Sequence, residues 1–264
     1  MSIASENSVV PKMIFIVPYR DRENQKGLFQ RQMAYVLEDV PEDDYKIYFA
    51  EQGDTRDFNR GAMKNAGFLA MRDKYPENYK NITFIFNDVD TMPYAKNLLN
   101  YVTTPNNIKH FFGYEYALGG IVSVTGGDFE KILGFPNLWT WGYEDNSFQF
   151  RAKRAGINID RSQFYRTGCN EIIQCVDEIY KKVNRDEFNR YIENTDDGIH
   201  TIRSLEYKID EDGQTILITN FVTPYPNNTT KNTIYDIRTQ TKKPFVYEKT
   251  RTGRFANVTM KMAF

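Results

Sequence analysis

Eight consecutive residues, Trp139-Thr-Trp-Gly-Tyr-Glu-Asp-Asn146, bring two indoles, a glycine and two adjacent carboxylates together. That combination suits a sugar, because aromatic rings stack on the C–H face of a pyranose while a carboxylate beside them takes a hydroxyl proton or holds two hydroxyls. The bland reading of the same segment is a Trp pair anchoring the core, with Glu144 and Asp145 as solvated charges at its end. A second acid pair, Asp88-Val89-Asp90, follows an apolar run, and its i, i+2 spacing on an extended chain projects both carboxylates the same way. Hard oxygen ligands suit Mn2+ or Mg2+ beside a diphosphate, where the metal acts as a Lewis acid on a departing nucleoside diphosphate. Arg20, Arg22 and Arg60 carry planar guanidinium groups that grip phosphate in two places. Phe58-Asn-Arg60 stands at a predicted helix start, with Asp57 as the expected N-cap and amides that face an anion.

The elements that must position these residues follow from periodicity. Met13-Ile-Phe-Ile-Val17 is a short apolar run stopped by Pro18, as for a strand buried on both faces. A helical pattern through Leu28, Met33, Val36 and Leu37 leads to a second strand at Tyr45–Ala50. A helix over Phe58–Met71 and a third strand at Ile82–Phe86 come next. Alternation of strand and helix implies an α/β class with a doubly wound, mostly parallel Rossmann-like sheet. Such sheets bind ligands at the carboxyl ends of their strands. Each strand here ends in polar residues, at Pro18–Arg22, Glu51–Asp54 and Asn87–Asp90, and these tips are expected to converge. A further helix is predicted over Asn146–Gly156. From Leu205 the period becomes two, and Asp212-Gly213 supplies the turn of a C-terminal β hairpin. Residues 1–222 are expected to form one domain and residues 223–264, rich in Pro, Asn, Thr and Lys, an extension.

A net charge of −1 over 264 residues gives no electrostatic case for nucleic acid or an anionic membrane. Cys169 and Cys175 form neither a disulfide framework nor a zinc spacing. The first residues lack a basic start and an apolar run, and no stretch approaches the roughly 20 apolar residues of a spanning helix. The expected location is therefore cytoplasmic, with no membrane segment in this chain. His110 and His200 are expected to be ordinary hydrogen-bonded residues.

Taken in order, Pro18-Tyr-Arg-Asp-Arg22, Phe58-Asn-Arg60, Asp88-Val-Asp90, Leu118-Gly-Gly-Ile-Val-Ser123, Gly134-Phe-Pro-Asn137 and Trp139–Asn146 resemble the motifs of the β-1,4-galactosyltransferase family. The resemblance runs from about Ile14 to about Phe221. It implies a GT-A fold and an inverting single displacement that moves a hexose or N-acetylhexosamine from a UDP-sugar to a glycan or glycoconjugate hydroxyl. On that resemblance Asp145 is the general base, and Glu144 positions the donor sugar or its loop. Asp90 binds Mn2+. Pro18, Arg20, Arg22, Phe58, Arg60, Asp88 and Gly120 serve the donor nucleotide, and Trp141 lines the junction of donor and acceptor. Tyr114, Tyr143 and Asn146 fall on the acceptor side.

Several positions depart from the family. Tyr143 replaces a glycine and Asn146 an aspartate, while Ala117 stands where a tyrosine limits the donor pocket, leaving room for UDP-GalNAc or UDP-GlcNAc beside UDP-galactose. The family's metal-binding Met and His are absent. One alignment offers Glu171 and Gln174 in their place and another Ile172 and Cys175; a hard carboxylate favours Glu171 for Mn2+. Two other readings compete with a transferase. The first is a sugar- or nucleotide-binding protein that kept the fold without turnover. The second, a glycoside hydrolase using Glu144 and Asp145, fails because adjacent residues do not flank one bond at the required roughly 5 to 10 Å.

Overall fold

Seven consecutive buried residues form β1 (Met13–Tyr19), the strand around which the sheet is built. Parallel neighbours lie on both sides, β2 (Tyr45–Gln52) and β3 (Thr83–Asn87), joined through α1 (Glu23–Val36) and α2 (Arg60–Lys74). The computed structural model describes residues 9–175, 179–193 and 196–238. After β3 come β4 (Thr91–Pro93), β5 (Asn107–Gly113), β6 (Ile121–Thr125), α3 (Gly126–Lys131) and α4 (Glu144–Arg154). Then follow β7 (Asn158–Asp160), β8 (Tyr165–Arg166), β9 (Ile172–Gln174), β10 (Tyr180–Asn184), α5 (Arg185–Glu193), β11 (Arg203–Ile209), β12 (Thr215–Val222) and β13 (Asn232–Asp236).

The main sheet has the order β11-β12-β2-β1-β3-β6-β5-β7, with β8 also on β5. It is mixed rather than uniformly parallel, since β6 runs antiparallel to both β3 and β5. β5 and β6 are consecutive and joined without a crossover helix, which makes them antiparallel, and β6 is placed between β5 and β3. The expected hairpin is present as β11 and β12, turning at Gly213 with φ 67°. It does not stand apart, because β12 adds to β2 in parallel, Thr215 opposite Phe49.

Helix α2 is buried from Gly61 to Met71. One side packs on β1, where Gly67 leaves room for Ile16; a Cβ at Gly67 would come within 2.6 Å of that side chain. On the other side Asn65 donates to the Phe135 carbonyl at 2.7 Å and to Asn137 Oδ1 at 2.9 Å. A helix enclosed on all sides must satisfy its polar residues internally, so Lys64 and Asn65 need partners inside the fold. Phe68, Phe86, Phe129, Phe135 and Phe148 stack beside it, tying α2, α3 and α4 into one core.

The chain beyond Val222 stays in contact with the rest. Thr223 and Tyr225 accept the buried Trp139 indole N–H, and β13 pairs with β10. Residues 239–264 of the expected extension, and residues 1–8, lie outside the described residues. Among the described residues no helix is long and apolar enough to cross a membrane.

Candidate active site

The three strand tips converge as the topology requires. Arg20, just past β1, donates from Nη1 to the Arg56 carbonyl at 2.6 Å and lies 5.4 Å above the Phe58 ring. Arg22, at the start of α1, reaches Asp90 Oδ2 at 3.3 Å. Pro18 is buried past the last β1–β3 pair. Gly120, with φ 68°, accepts the Asp88 N–H at 3.0 Å; a Cβ there would fall 2.5 Å from the Phe112 carbonyl oxygen. Gly120 therefore fixes the Asp88 backbone.

Arg60 gathers three carboxylates around its guanidinium. The helix begins at this residue, capped by Asn59, whose side chain accepts the Ala62 N–H at 2.8 Å. Asp57, the expected cap, is committed elsewhere, to Lys182 of β10 and Asn232 of β13. From the first turn of α2 the Arg60 guanidinium spans the cleft. It donates through Nη2 to Asp88 at 2.6 Å and through Nη1 to Glu144 Oε1 at 2.6 Å and Asp145 Oδ2 at 2.9 Å. Burial opposes its charge, but Asp145, Asp88 and Glu144 outweigh burial and hold its pKa well above the ordinary value. Burial would likewise raise Asp88, yet Arg60 and then Lys64 leave its pKa below the usual carboxylate value.

Glu144 and Asp145 form the first turn of α4, where the helix dipole favours negative charge. Glu144 is 5% exposed, and its Oε2 is buried with no hydrogen-bond partner among the described residues. Asp145 packs against Gly119, where a Cβ would meet Asp145 Oδ2 at 2.3 Å. The Leu118 N–H donates to the Asp145 carbonyl at 3.0 Å, so the 118–120 turn and the α4 start are held as one unit. Asn146 donates from Nδ2 to the Tyr116 carbonyl at 3.2 Å, and the Tyr116 ring stacks on Tyr114 with centroids 5.3 Å apart. Burial, and then Tyr114, push the Tyr116 phenol up to about 12, so both rings of this platform keep their protons. Tyr114 and Asn146 are thus adjacent to the acid pair.

Tyr143 is not. Its backbone takes the left-handed conformation, φ 81° and ψ −14°, that the family's glycine would adopt without strain. Its ring is buried edge-on against Phe188 of α5, centroids 4.8 Å apart, in a cluster with Val183 and Tyr235. The ring thereby anchors the turn before α4 to the β10–β13 pair. Trp141 is partly buried beside this cluster, its N–H bonded to the Lys182 carbonyl at 2.8 Å. Trp139, by contrast, is a core anchor, stacked on Phe221 at 5.5 Å.

On the metal side, β4 and β9 form a short antiparallel ladder that sets Gln174 against Thr91 and Ile172 against Pro93. The Cys175 N–H donates to the Asp90 carbonyl at 2.8 Å, so Cys175 is the residue facing Asp90. Glu171 lies at the far end, its carbonyl accepting the Tyr94 N–H at 2.8 Å, and Gln174 is exposed on the intervening position. The ladder thus brings Cys175 to Asp90 and keeps Glu171 roughly four strand positions away, on the order of 13 Å along the chain. Among the described residues no three His, Cys, Asp or Glu side chains form a metal cage. The donor set is a carboxylate oxygen that already attracts the Arg22 guanidinium. It fits a divalent cation completed by diphosphate oxygens and water, with few ligands from the protein.

Sequence reasoning missed Lys64 and Gly119. Lys64 was readable in principle, since i, i+4 spacing from Arg60 places both cations on one face of α2. His110 is buried and neutral: burial, reinforced by Arg161, lowers it to about 4. Its Nε2 bonds the Phe112 and Gly119 carbonyls at 2.9 and 3.2 Å, bracing the turn behind Asp145.

Residues 5–102 match the model for the N-terminal region of glycosyl transferase group 7, and residues 102–174 that for the N-terminal domain of galactosyltransferase. β-1,4-galactosyltransferase 7 of Drosophila melanogaster is 30% identical over 182 residues, covering 66% of this chain and 54% of the relative. β-1,4-galactosyltransferase 6 of Mus musculus is 32% identical over 164 residues, covering 58% of this chain and 41% of the relative. The chain spans about half the length of these curated relatives. Among solved structures, the catalytic domain of the Drosophila enzyme in complex with xylobiose superposes with a TM-score of 0.63 at 22% identity, covering 82% of this chain and 96% of that one. A variant of the same enzyme, in complex with manganese, UDP-Gal and xylobiose, superposes with a TM-score of 0.61. The fold is that of the GT-A glycosyltransferases. Within that class, with matched models running from residue 5 to residue 174, the chain belongs to the β-1,4-galactosyltransferase family.

Proposed function

We propose that this chain is an inverting glycosyltransferase that moves a sugar from a UDP-sugar to a glycan hydroxyl, with Asp145 as the general base. The observation that carries the reading is the acid pair at the start of α4. Asp145 is oriented through both carboxylate oxygens, and the neighbouring Glu144 keeps a buried oxygen that needs a donor from a ligand. A buried acceptor left without a partner costs about 1–3 kcal/mol, and a sugar hydroxyl would recover it. In the proposed step the acceptor oxygen attacks the anomeric carbon from the face opposite UDP and gives its proton to Asp145. The bond from carbon to the diphosphate oxygen breaks, UDP departs with the electron pair, and the anomeric configuration inverts.

Arg20, Arg22 and Phe58 border the nucleotide side, and Asp88 is aligned there by Gly120 and Arg60. A Mn2+ ion would be held by Asp90, beside Cys175, and would supply Lewis-acid stabilisation of the departing diphosphate. UDP-galactose is the leading donor, by likeness to the Drosophila relative, whose complex holds manganese, UDP-Gal and xylobiose. Ala117 is buried and small where the family places a tyrosine, which extends the candidates to UDP-GalNAc and UDP-GlcNAc. The Tyr114–Tyr116 platform supports a sugar acceptor.

Calorimetric titration of UDP and the three UDP-sugars, with Mn2+ and then with chelator, tests the site. Binding that depends on both metal and Asp90, together with donor turnover that disappears in Asp145→Asn, is the expected result. Absence of nucleotide binding under every condition would overturn the reading. Binding without turnover would favour the non-catalytic alternative.

A further inference from the structure

Lys64 is 1% exposed, one of the most deeply buried charges of the described residues, and neither the nucleotide nor the metal side of the proposed reaction uses it. Its ammonium stands 3.2 Å from Asp145 Oδ1 and 3.8 Å from Asp88 Oδ1, and 4.4 Å from the Phe135 ring centroid. Its hydrogen bond goes to Asp145 Oδ1, with Asp88 at ion-pair distance. A group this deeply buried presents no surface to a substrate, so its role runs through the two acids. The two oxygens of Asp145 are divided between α2 cations one turn apart, Oδ1 to Lys64 and Oδ2 to Arg60, while Gly119 closes the space behind Oδ2.

The charges explain why two cations are needed. Asp88, Glu144 and Asp145 carry −3 and Arg60 and Lys64 carry +2, leaving −1 for the cluster. With Arg60 alone the cluster would hold −2, and Asp145 and Asp88 would repel across the gap that Lys64 now bridges. A carboxylate held at only one oxygen can rotate about its Cβ–Cγ bond. Held at both, it presents its remaining lone pairs in one direction, which is the requirement for a base that must meet one hydroxyl.

We propose that Lys64 is a positioning residue for the transfer reaction. It locks the Asp145 carboxylate toward the acceptor and couples it to Asp88 on the nucleotide side. This inference rests on the transferase reading. A solvated or purely structural lysine would not need to bridge both acids, since either one alone would neutralise it.

The test is Lys64→Met in the full chain, followed by UDP release from UDP-galactose, UDP-GalNAc and UDP-GlcNAc in the presence of Mn2+, with water as acceptor. Expected is a fall in kcat of tenfold or more, with the donor KM and the Kd for UDP within threefold of wild type. Lys64→Arg, which keeps the charge, should recover part of the loss. An unchanged kcat would overturn the proposal. So would a parallel loss of kcat, KM and UDP affinity that Lys64→Arg fails to relieve, since that pattern marks a structural role. Should Lys64→Met fail to fold, Lys64→Gln is read in the same way, keeping a donor but no charge. A wild-type protein that neither binds UDP nor turns over any of the donors would instead refute the transferase reading and, with it, this one.

Discussion

Replacing Arg60 by Met isolates the energetic weight of the charge cluster. Met keeps the apolar stem of the side chain, but the guanidinium that contacts Asp88, Glu144 and Asp145 is gone, and the cluster charge moves from −1 to −2. Breaking a buried pair by removing one partner costs about 3–5 kcal/mol. Asp88 and Asp145 side chains remain 22% and 20% exposed, which screens part of the repulsion and favours the lower end, about 3 kcal/mol. For a domain of this size each kcal/mol shifts Tm by roughly 2–4 °C, so the drop at pH 7 should be about 6–12 °C. The pH dependence has a definite sign. Asp88 has a depressed pKa in the folded state, so its contribution is present above its unfolded pKa, about 3.9, and is lost as pH falls through the lower folded value. The variant lacks that contribution, so the gap from wild type at pH 7 should narrow by pH 3, below the unfolded value. Calorimetric unfolding at both pH values measures it. A loss below about 1 kcal/mol at pH 7, or a gap that widens in acid, would refute the argument.

Tyr143→Gly should relieve left-handed strain of roughly 1–2 kcal/mol but lose the buried ring, about 3–5 kcal/mol, for a net loss near 2 kcal/mol in urea unfolding; equal or greater stability would show that the anchor does not hold the loop. His110 folds neutral with its pKa lowered to about 4, so wild-type stability should fall between pH 6.5 and 4, and His110→Gln should flatten that slope. A slope unchanged in the variant would assign it to other groups. Asp90→Ala should abolish the metal-dependent part of UDP binding in calorimetry, while metal-free binding through Arg20 and Phe58 persists; equal metal dependence in both proteins would remove Asp90 from the metal.

Strands β1 and β3 were legible in the sequence because strands buried on both faces are written as apolar runs, and β2 through its Ile-Tyr-Phe-Ala centre. The convergence of their polar tips followed from topology alone. The residues around Asp88 and Asp145 were legible by type and order. What the sequence did not disclose was direction. Nothing local says that Arg60 faces two acids from α4, more than eighty residues on. Likewise, Tyr143 reads as an obstruction at a glycine position until Phe188, Val183 and Tyr235 appear around it. The strands β5, β10 and β13 were missed because they are short or polar on one face, and Cys175 faces Asp90 only through a ladder of three residue pairs.

The tether from Trp139 to Thr223 and Tyr225 has a consequence for the order of assembly. The loop leading into Glu144 and Asp145 is fastened by residues more than eighty positions later, and by β10, which itself pairs with β13. Contacts of such long sequence separation form late, because loop-closure entropy must be overcome before they are gained. On the ribosome, where the amino-terminal part of a chain folds first, the β1–β3 sheet and its nucleotide edge can assemble while the acid loop is still untethered. On the proposed function, the acid loop is thus the last part of the site to be fastened, after the strand tips that border it on the other side.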